Sequence, residues 1–180
     1  FPEGDRRALS GPSGVCVDES DGSVYISDTG HQRILHLGAD FSYIEEFGKP
    51  RSDLLSGDFI FTPRQLAVTK TGYIYTIKDK SLMKIDAGDV FQGYVGTTRL
   101  DFSFTNMLIR VFASRAQKEK LLVAEPAQQI GFTLAKDGTL YSTTTNEKHG
   151  QITKYNLLGE NQFPEKFYGE YSTDSEGNPV

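Results

Sequence analysis

A single cysteine, Cys16, in 180 residues excludes an internal disulfide framework and any cysteine-rich zinc site. No apolar segment approaches the roughly 18 residues needed to cross a bilayer, so no membrane span is expected in this segment. Long uniform helical periodicity is missing as well. The 18 glycines, 9 tyrosines and 12 phenylalanines point instead to a mostly β chain. Basic charge is in deficit: the formal net charge is −5, which argues against a general affinity for phosphate backbones and makes nucleic acid an unexpected partner. The start, Phe1-Pro2, carries neither a methionine nor a signal-peptide pattern, and reads as a processed product or a piece of a longer chain.

Signatures of common chemistry are lacking too. No Gly-rich loop leads from a strand into a helix, so a phosphate cradle is not supported. There is no Gly-x-Ser-x-Gly elbow, and no serine, histidine and acid stand at a spacing that suggests a triad.

What the chain does contain is a repeat. In the first unit the run Val15-Cys16-Val17 leads through Asp18 and the turn-forming Ser20-Asp21-Gly22 to Val24-Tyr25-Ile26. After Asp28-Thr29-Gly30 comes Ile34-Leu35-His36-Leu37. Such short β-branched and aromatic runs, too close together for a helical crossover, predict an antiparallel meander. A second unit places Leu66-Ala67-Val68, Lys70-Thr71-Gly72, Ile74-Tyr75-Thr76 and Leu82-Met83-Lys84-Ile85 at the same landmarks. The third has Phe132-Thr133-Leu134, Lys136-Asp137-Gly138, Leu140-Tyr141-Ser142 and Ile152-Thr153-Lys154-Tyr155. Each closes on a glycine, at Phe47-Gly48, Val95-Gly96 and Tyr168-Gly169. Propeller blades of four strands take ~40 to 50 residues, which these units match. The middle of the innermost run is small or short each time (Cys16, Ala67, Thr133), as expected where blades converge on an axis. Cys16 is therefore read as a small buried apolar residue rather than a reactive thiol.

The pattern Pro12-x-Gly14-Val15-x-Val17-Asp18, then Gly22-x-Val24-Tyr25-Ile26-x-Asp28-Thr29, Arg33-Ile34 and Phe47-Gly48, resembles the NHL repeat, the blade of a six-bladed β-propeller. The other units are degenerate: Lys78 and Thr144 stand where the family expects Asp28, and Ser81 and Gln151 where it expects Arg33. The resemblance implies that Asp28 and Arg33 form a structural pair tying the second strand to the third. The overall arrangement is also similar to bacterial NHL proteins labelled gluconolactonase-like, and implies an extracellular or cell-surface location.

The expected architecture is all-β: three four-stranded antiparallel NHL-type blades, a partial ring, over approximately 8–48, 61–96 and 127–169. Between the last two, residues 97–125 break the β rhythm. Leu108, Val111, Phe112, Arg115 and Ala116 follow one helical face, and Ser114 with Gln117 fits a capping box, which predicts two short helices. This insertion is locally basic and reads as a clamp between blades or as a docking hairpin.

Repeated loops fall on one face, so a candidate ligand rim gathers Ser13, Arg64 and Ile130 from before the innermost strands with His31, Lys78 and His149 from after the second strands. His31 and His149 lie a whole blade apart without recurring carboxylates, and no metal site is expected of them. The functional expectation is a non-catalytic scaffold, without cofactor, that recognises a protein, peptide or glycan. Its other partners would be the remaining blades of a parent chain or a second copy. The alternative is half of a calcium-dependent lactonase or esterase, whose axial metal would draw on Asp18.

Overall fold

The structure, a computed structural model, describes residues 8–96, 128–145, 150–163 and 175–176. Eleven strands are present there: β1 (Pro12–Val17), β2 (Val24–Asp28), β3 (Arg33–Leu37), β4 (Tyr43–Phe47), β5 (Leu66–Val68), β6 (Ile74–Lys78), β7 (Ser81–Ile85), β8 (Phe91–Tyr94), β9 (Gln128–Leu134), β10 (Leu140–Thr145) and β11 (Gly150–Tyr155). They form three antiparallel meanders, β1-β2-β3-β4, β5-β6-β7-β8 and β9-β10-β11. This is an all-β fold of propeller type. The only helical element among the described residues is the 3-10 turn Thr29–His31. The predicted helices of 97–125 and the close of the third blade at Tyr168-Gly169 lie outside the described residues. Among those described, no helix is long and apolar enough to cross a membrane.

The register shows why three dissimilar sequences make one shape. Cys16 pairs with Tyr25, Ala67 with Tyr75 and Thr133 with Tyr141. Each tyrosine in turn faces a basic residue or histidine on the third strand, namely His36, Lys84 or Lys154. His36 stacks on Tyr25 with ring centroids 4.0 Å apart, and Lys84 and Lys154 sit over Tyr75 and Tyr141 at 5.8 and 5.7 Å. A large ring is thus packed between a small inner neighbour and a flat or cationic outer one, a cross-strand arrangement that stabilises a pleated pair.

The first turn of each unit is also conserved in geometry. Asp18, Thr69 and Ala135 donate their N–H to Ser23, Tyr73 and Thr139 at 2.8–2.9 Å, while Gly22, Gly72 and Gly138 donate back to the same three residues. Those glycines have φ of +78°, +77° and +82°, a region that costs other L-residues energy.

Two apolar clusters join the blades. Tyr25, Ile34 and Phe47 of the first meet Leu66, Val68, Ile74, Met83 and Ile85 of the second, with Cys16 packed against them. Tyr75, Ile77 and Leu82 of the second meet Phe132, Leu140 and Tyr155 of the third. The inner strands also touch through polar groups. The Gln65 side chain donates to the Phe132 carbonyl at 2.5 Å and accepts from its N–H at 3.2 Å, so one amide does the work of a missing ladder rung. Replacing Gln65 with alanine strands both backbone groups and is expected to cost about 1–3 kcal/mol in urea unfolding. Gln65→Glu should restore acceptance from Phe132 N–H but not donation, and fall between.

Candidate functional site

Ser13, His31, Arg64 and Lys78 arrive at one end of the sheets, across the joint between the first two blades. The contacts that hold them there start from hydroxyls. Thr29 Oγ1 donates to the Pro63 carbonyl at 2.5 Å and accepts from Ser13 Oγ at 2.5 Å, with Ser13 Oγ itself 3.3 Å from the same carbonyl. That fixes the residue before Arg64. Arg64 N–H then donates to Ile77 O at 2.9 Å, which places it beside Lys78. His31 closes the 3-10 turn that begins at Thr29. His149 lies outside the described residues.

Three positions differ from the sequence expectation. Ser13, Ile130 and Lys78 are not in loops but within β1, β9 and β6, because the ladders run further than the apolar runs do, with Pro12 opposite Asp28, Gln128 opposite Thr145 and Lys78 opposite Ser81. Residues missed by sequence reasoning are Thr29, which latches the blades, and Lys80, whose Nζ reaches Gln128 Oε1 at 3.2 Å across the next joint. Thr29 falls within the repeat pattern, but only the spatial pairing of hydroxyl and carbonyl shows that it latches the two blades.

Beneath the rim lies a buried ionic network. Arg33 and Asp28 are both fully buried; Arg33 Nε donates to Asp28 Oδ2 at 2.8 Å and its terminal nitrogen to Glu46 Oε2 at 2.6 Å. Asp28 also accepts from Ser10 N–H at 2.6 Å and contacts His31 Nδ1 at 2.8 Å. Burial pushes the Asp28 carboxyl up, but the Ser10 N–H, the Arg33 guanidinium and the His31 ring outweigh it and hold the group below the usual carboxylate range. The same carboxylate therefore ties the strand-to-strand corner together and orients the His31 ring at the rim.

The remaining rim cations are held differently. Lys78 Nζ lies 4.9 Å over the Phe59 ring and bonds Asp79. Arg64 is exposed, and among the described residues its guanidinium has no partner. Among the described residues the rim thus carries Lys49, Arg64, Lys78 and Lys80 against Asp58 and Asp79. The opposite end has the reverse balance, with Asp18, Glu19, Asp21, Asp40, Asp86, Asp89 and Asp137 against Arg51, Lys70 and Lys136. Asp18 belongs to that acidic end, where its Oδ1 accepts from Ser20 N–H and Oγ at 2.8 and 2.7 Å. Asp89, also there, has its carboxyl raised to about 6, by burial first, with Asp86 and Glu45 adding to the effect against Arg51. No three histidine, cysteine, aspartate or glutamate side chains among the described residues converge as a metal group.

The NHL repeat model matches residues 9–37, which is the first blade through β3. No curated protein matches the chain in sequence. Among solved structures it is similar to a streptogramin B lyase, at 20% identity and a TM-score of 0.51, covering 88% of this chain and 42% of that one. It is also similar to a protein of unknown function from Bacteroides caccae, at 9% identity and a TM-score of 0.52, covering 91% and 53%. A gluconolactonase from Xanthomonas campestris follows at 13% identity and a TM-score of 0.49, covering 82% and 44%. At these identities the likeness concerns the fold alone. The chain spans about half or less of the length of each of these structures.

Proposed function

We propose that this chain is a non-catalytic recognition scaffold, and that its ligand binds the rim where the first two blades meet. The observation that carries this reading is Arg64: an exposed guanidinium, unpartnered among the described residues, whose backbone is locked on both sides, through Pro63 to the first blade and through Ile77 to the second. A fixed planar fork of donors suits a carboxylate, which it can grip through two parallel hydrogen bonds. Of the candidate ligands, protein, peptide or glycan, a peptide bearing Asp or Glu fits best. The most exposed aromatic rings among the described residues, Phe41 and Tyr43, lie at the acidic end, and Phe59 at the rim is half-buried with Lys49 and Lys78 over its ring, so the described part of the rim offers a sugar ring no open stacking platform. The acidic balance of the whole chain opposes a long phosphate polymer.

The test is an array of acidic, neutral and basic peptides beside neutral and uronate glycans, probed with the full chain. Acidic peptides are expected to be retained, with affinity falling as salt rises. Arg64→Ala should weaken the best of them about tenfold, roughly 1.4 kcal/mol, and Arg64→Lys should recover only part. Retention that ignores Arg64, or that follows neutral glycans, would sink the reading.

A further inference from the structure

Residues 48–63 lead from the outer strand of the first blade to the inner strand of the second, and they are fastened on the way. Arg51 N–H donates to the Asp89 carbonyl at 2.8 Å and Phe91 N–H donates to the Arg51 carbonyl at 3.1 Å, a parallel bridge that lays this strap along the start of β8. The Arg51 guanidinium adds a bond to the Gly88 carbonyl. Further along, Leu54, Leu55 and Phe59 pack against the apolar cluster between the two blades, and Phe61 lies within it. The strap is therefore part of the joint, and its outer fastening is the turn at residues 86–90.

That turn carries a group that works against it. Asp89 stands at φ +59°, where its counterpart in the third blade is Gly159 at φ +80°; each donates its N–H to the first residue of its turn, Asp86 or Asn156. Aspartate is the costlier residue in that region. Its carboxyl is half-buried, and Oδ1, which solvent does not reach, has no hydrogen-bond partner among the described residues. A charged oxygen left so is destabilising. Its neighbours do not relieve it. Asp86, in the same turn, is an acceptor already engaged by Gly88 N–H at 2.9 Å, Val90 N–H at 3.0 Å and the Gln92 amide at 2.7 Å. Glu45, on β4 of the first blade, adds a further negative charge and is itself 3.1 Å from His36 Nδ1. Arg51, on the strap, is the cation that faces the group, but its guanidinium bonds Gly88 instead.

We propose that Asp89 makes the strap a proton-sensitive fastening, so that the joint between the first two blades is held more firmly with this carboxyl neutral than with it ionised. Protonation removes the repulsion from Asp86 and Glu45 and lowers the cost of burial. The carboxyl, raised to about 6 in the folded chain, lies above its unfolded value of about 3.9. The stabilisation is therefore fully present below about pH 4 and is lost as pH rises to and through about 6. This device needs no ligand at the rim and stands or falls independently of one.

Hydrogen exchange of the full chain at pH 5 and pH 7, corrected for intrinsic rates, tests it at the Arg51 and Phe91 amides. Their opening equilibrium is expected to be about tenfold larger at pH 7. Asp89→Asn, neutral at both values and at ease in the left-handed region, should abolish that difference. His36→Gln, which removes the other titrating group of this network but keeps Asp89, should leave it in place. Equal opening at the two pH values in the unaltered chain would overturn the proposal, as would a difference that persists in Asp89→Asn or vanishes in His36→Gln.

Discussion

Replacing Arg33 with alanine is expected to lower the unfolding free energy by about 3–5 kcal/mol, because it leaves the Asp28 carboxylate buried without its main counter-charge. For a chain of this length that is a fall in midpoint of roughly 6–20 °C. The pH dependence gives the loss a signature. Asp28 is held below the carboxylate range in the folded chain, so its contribution is present above the unfolded value, about 3.9, and is lost as pH falls through the lower folded value. Without Arg33 the folded value rises, and the gap between wild type and variant should narrow from pH 7 to pH 3 as the carboxyl is protonated. A loss below about 1 kcal/mol, or a gap that does not change with pH, would show that the pair is not what holds this corner. Arg33→Lys should recover little, since Arg33 uses separate nitrogens for Asp28 and for Glu46.

The second large effect comes from a glycine with no room beside it. A Cβ on Gly14 would stand 2.4 Å from the Arg64 carbonyl oxygen and 3.1 Å from Gln65 Cα. Both obstacles are backbone, so the first two blades must part. Gly14→Ala is expected to cost about 1–3 kcal/mol and Gly14→Val more. The register supplies an internal control. Gly131 occupies the equivalent place in the third blade, and there an added Cβ meets only the Thr143 hydroxyl at 3.3 Å and the Gln65 amide at 3.6 Å, side chains that can yield. Gly131→Ala should therefore be tolerated, and thermal denaturation of the two variants side by side decides the matter. Equal losses would mean that glycine serves the strand itself and not the close approach of blades. Because Gly14 abuts Arg64, the first variant should also disturb binding at the rim, whereas the second should not.

These two sites also show what a sequence can and cannot reveal. The repeat of Tyr25, Tyr75 and Tyr141 against Cys16, Ala67 and Thr133 was legible because a periodic pattern in sequence becomes a register in space. Even the degenerate positions keep that register: Lys78 faces Ser81 and Thr144 faces Gln151, as Asp28 faces Arg33. A ladder is built from backbone groups, so it survives the loss of the ion pair that marks it in the first blade. The joints between blades were less legible. Gln65 and Gly131 occupy the place of Gly14 in their own units, yet one bridges, one gives way and one is wedged, and those roles depend on how closely two inner strands approach. Thr29 and Lys80 likewise act across joints, over sequence separations of 34 and 48 residues. The rim was found in outline from repeat logic, since equivalent loops share an end. Its chemistry, with Lys78 laid on Phe59 and His31 bound to Asp28 while Arg64 stands clear, follows from packing that no spacing encodes.

The central claim is that recognition happens at the basic end of the blades. Hydrogen exchange of the full chain, with and without the best-retained array ligand, tests it most directly. The account predicts slowed exchange around Ser13, Thr29 to His31, Arg64 and Lys78, with the turns at Asp18, Asp40 and Asp137 unchanged. Protection at those acidic turns instead, or saturating ligand that slows exchange at neither end, would contradict it.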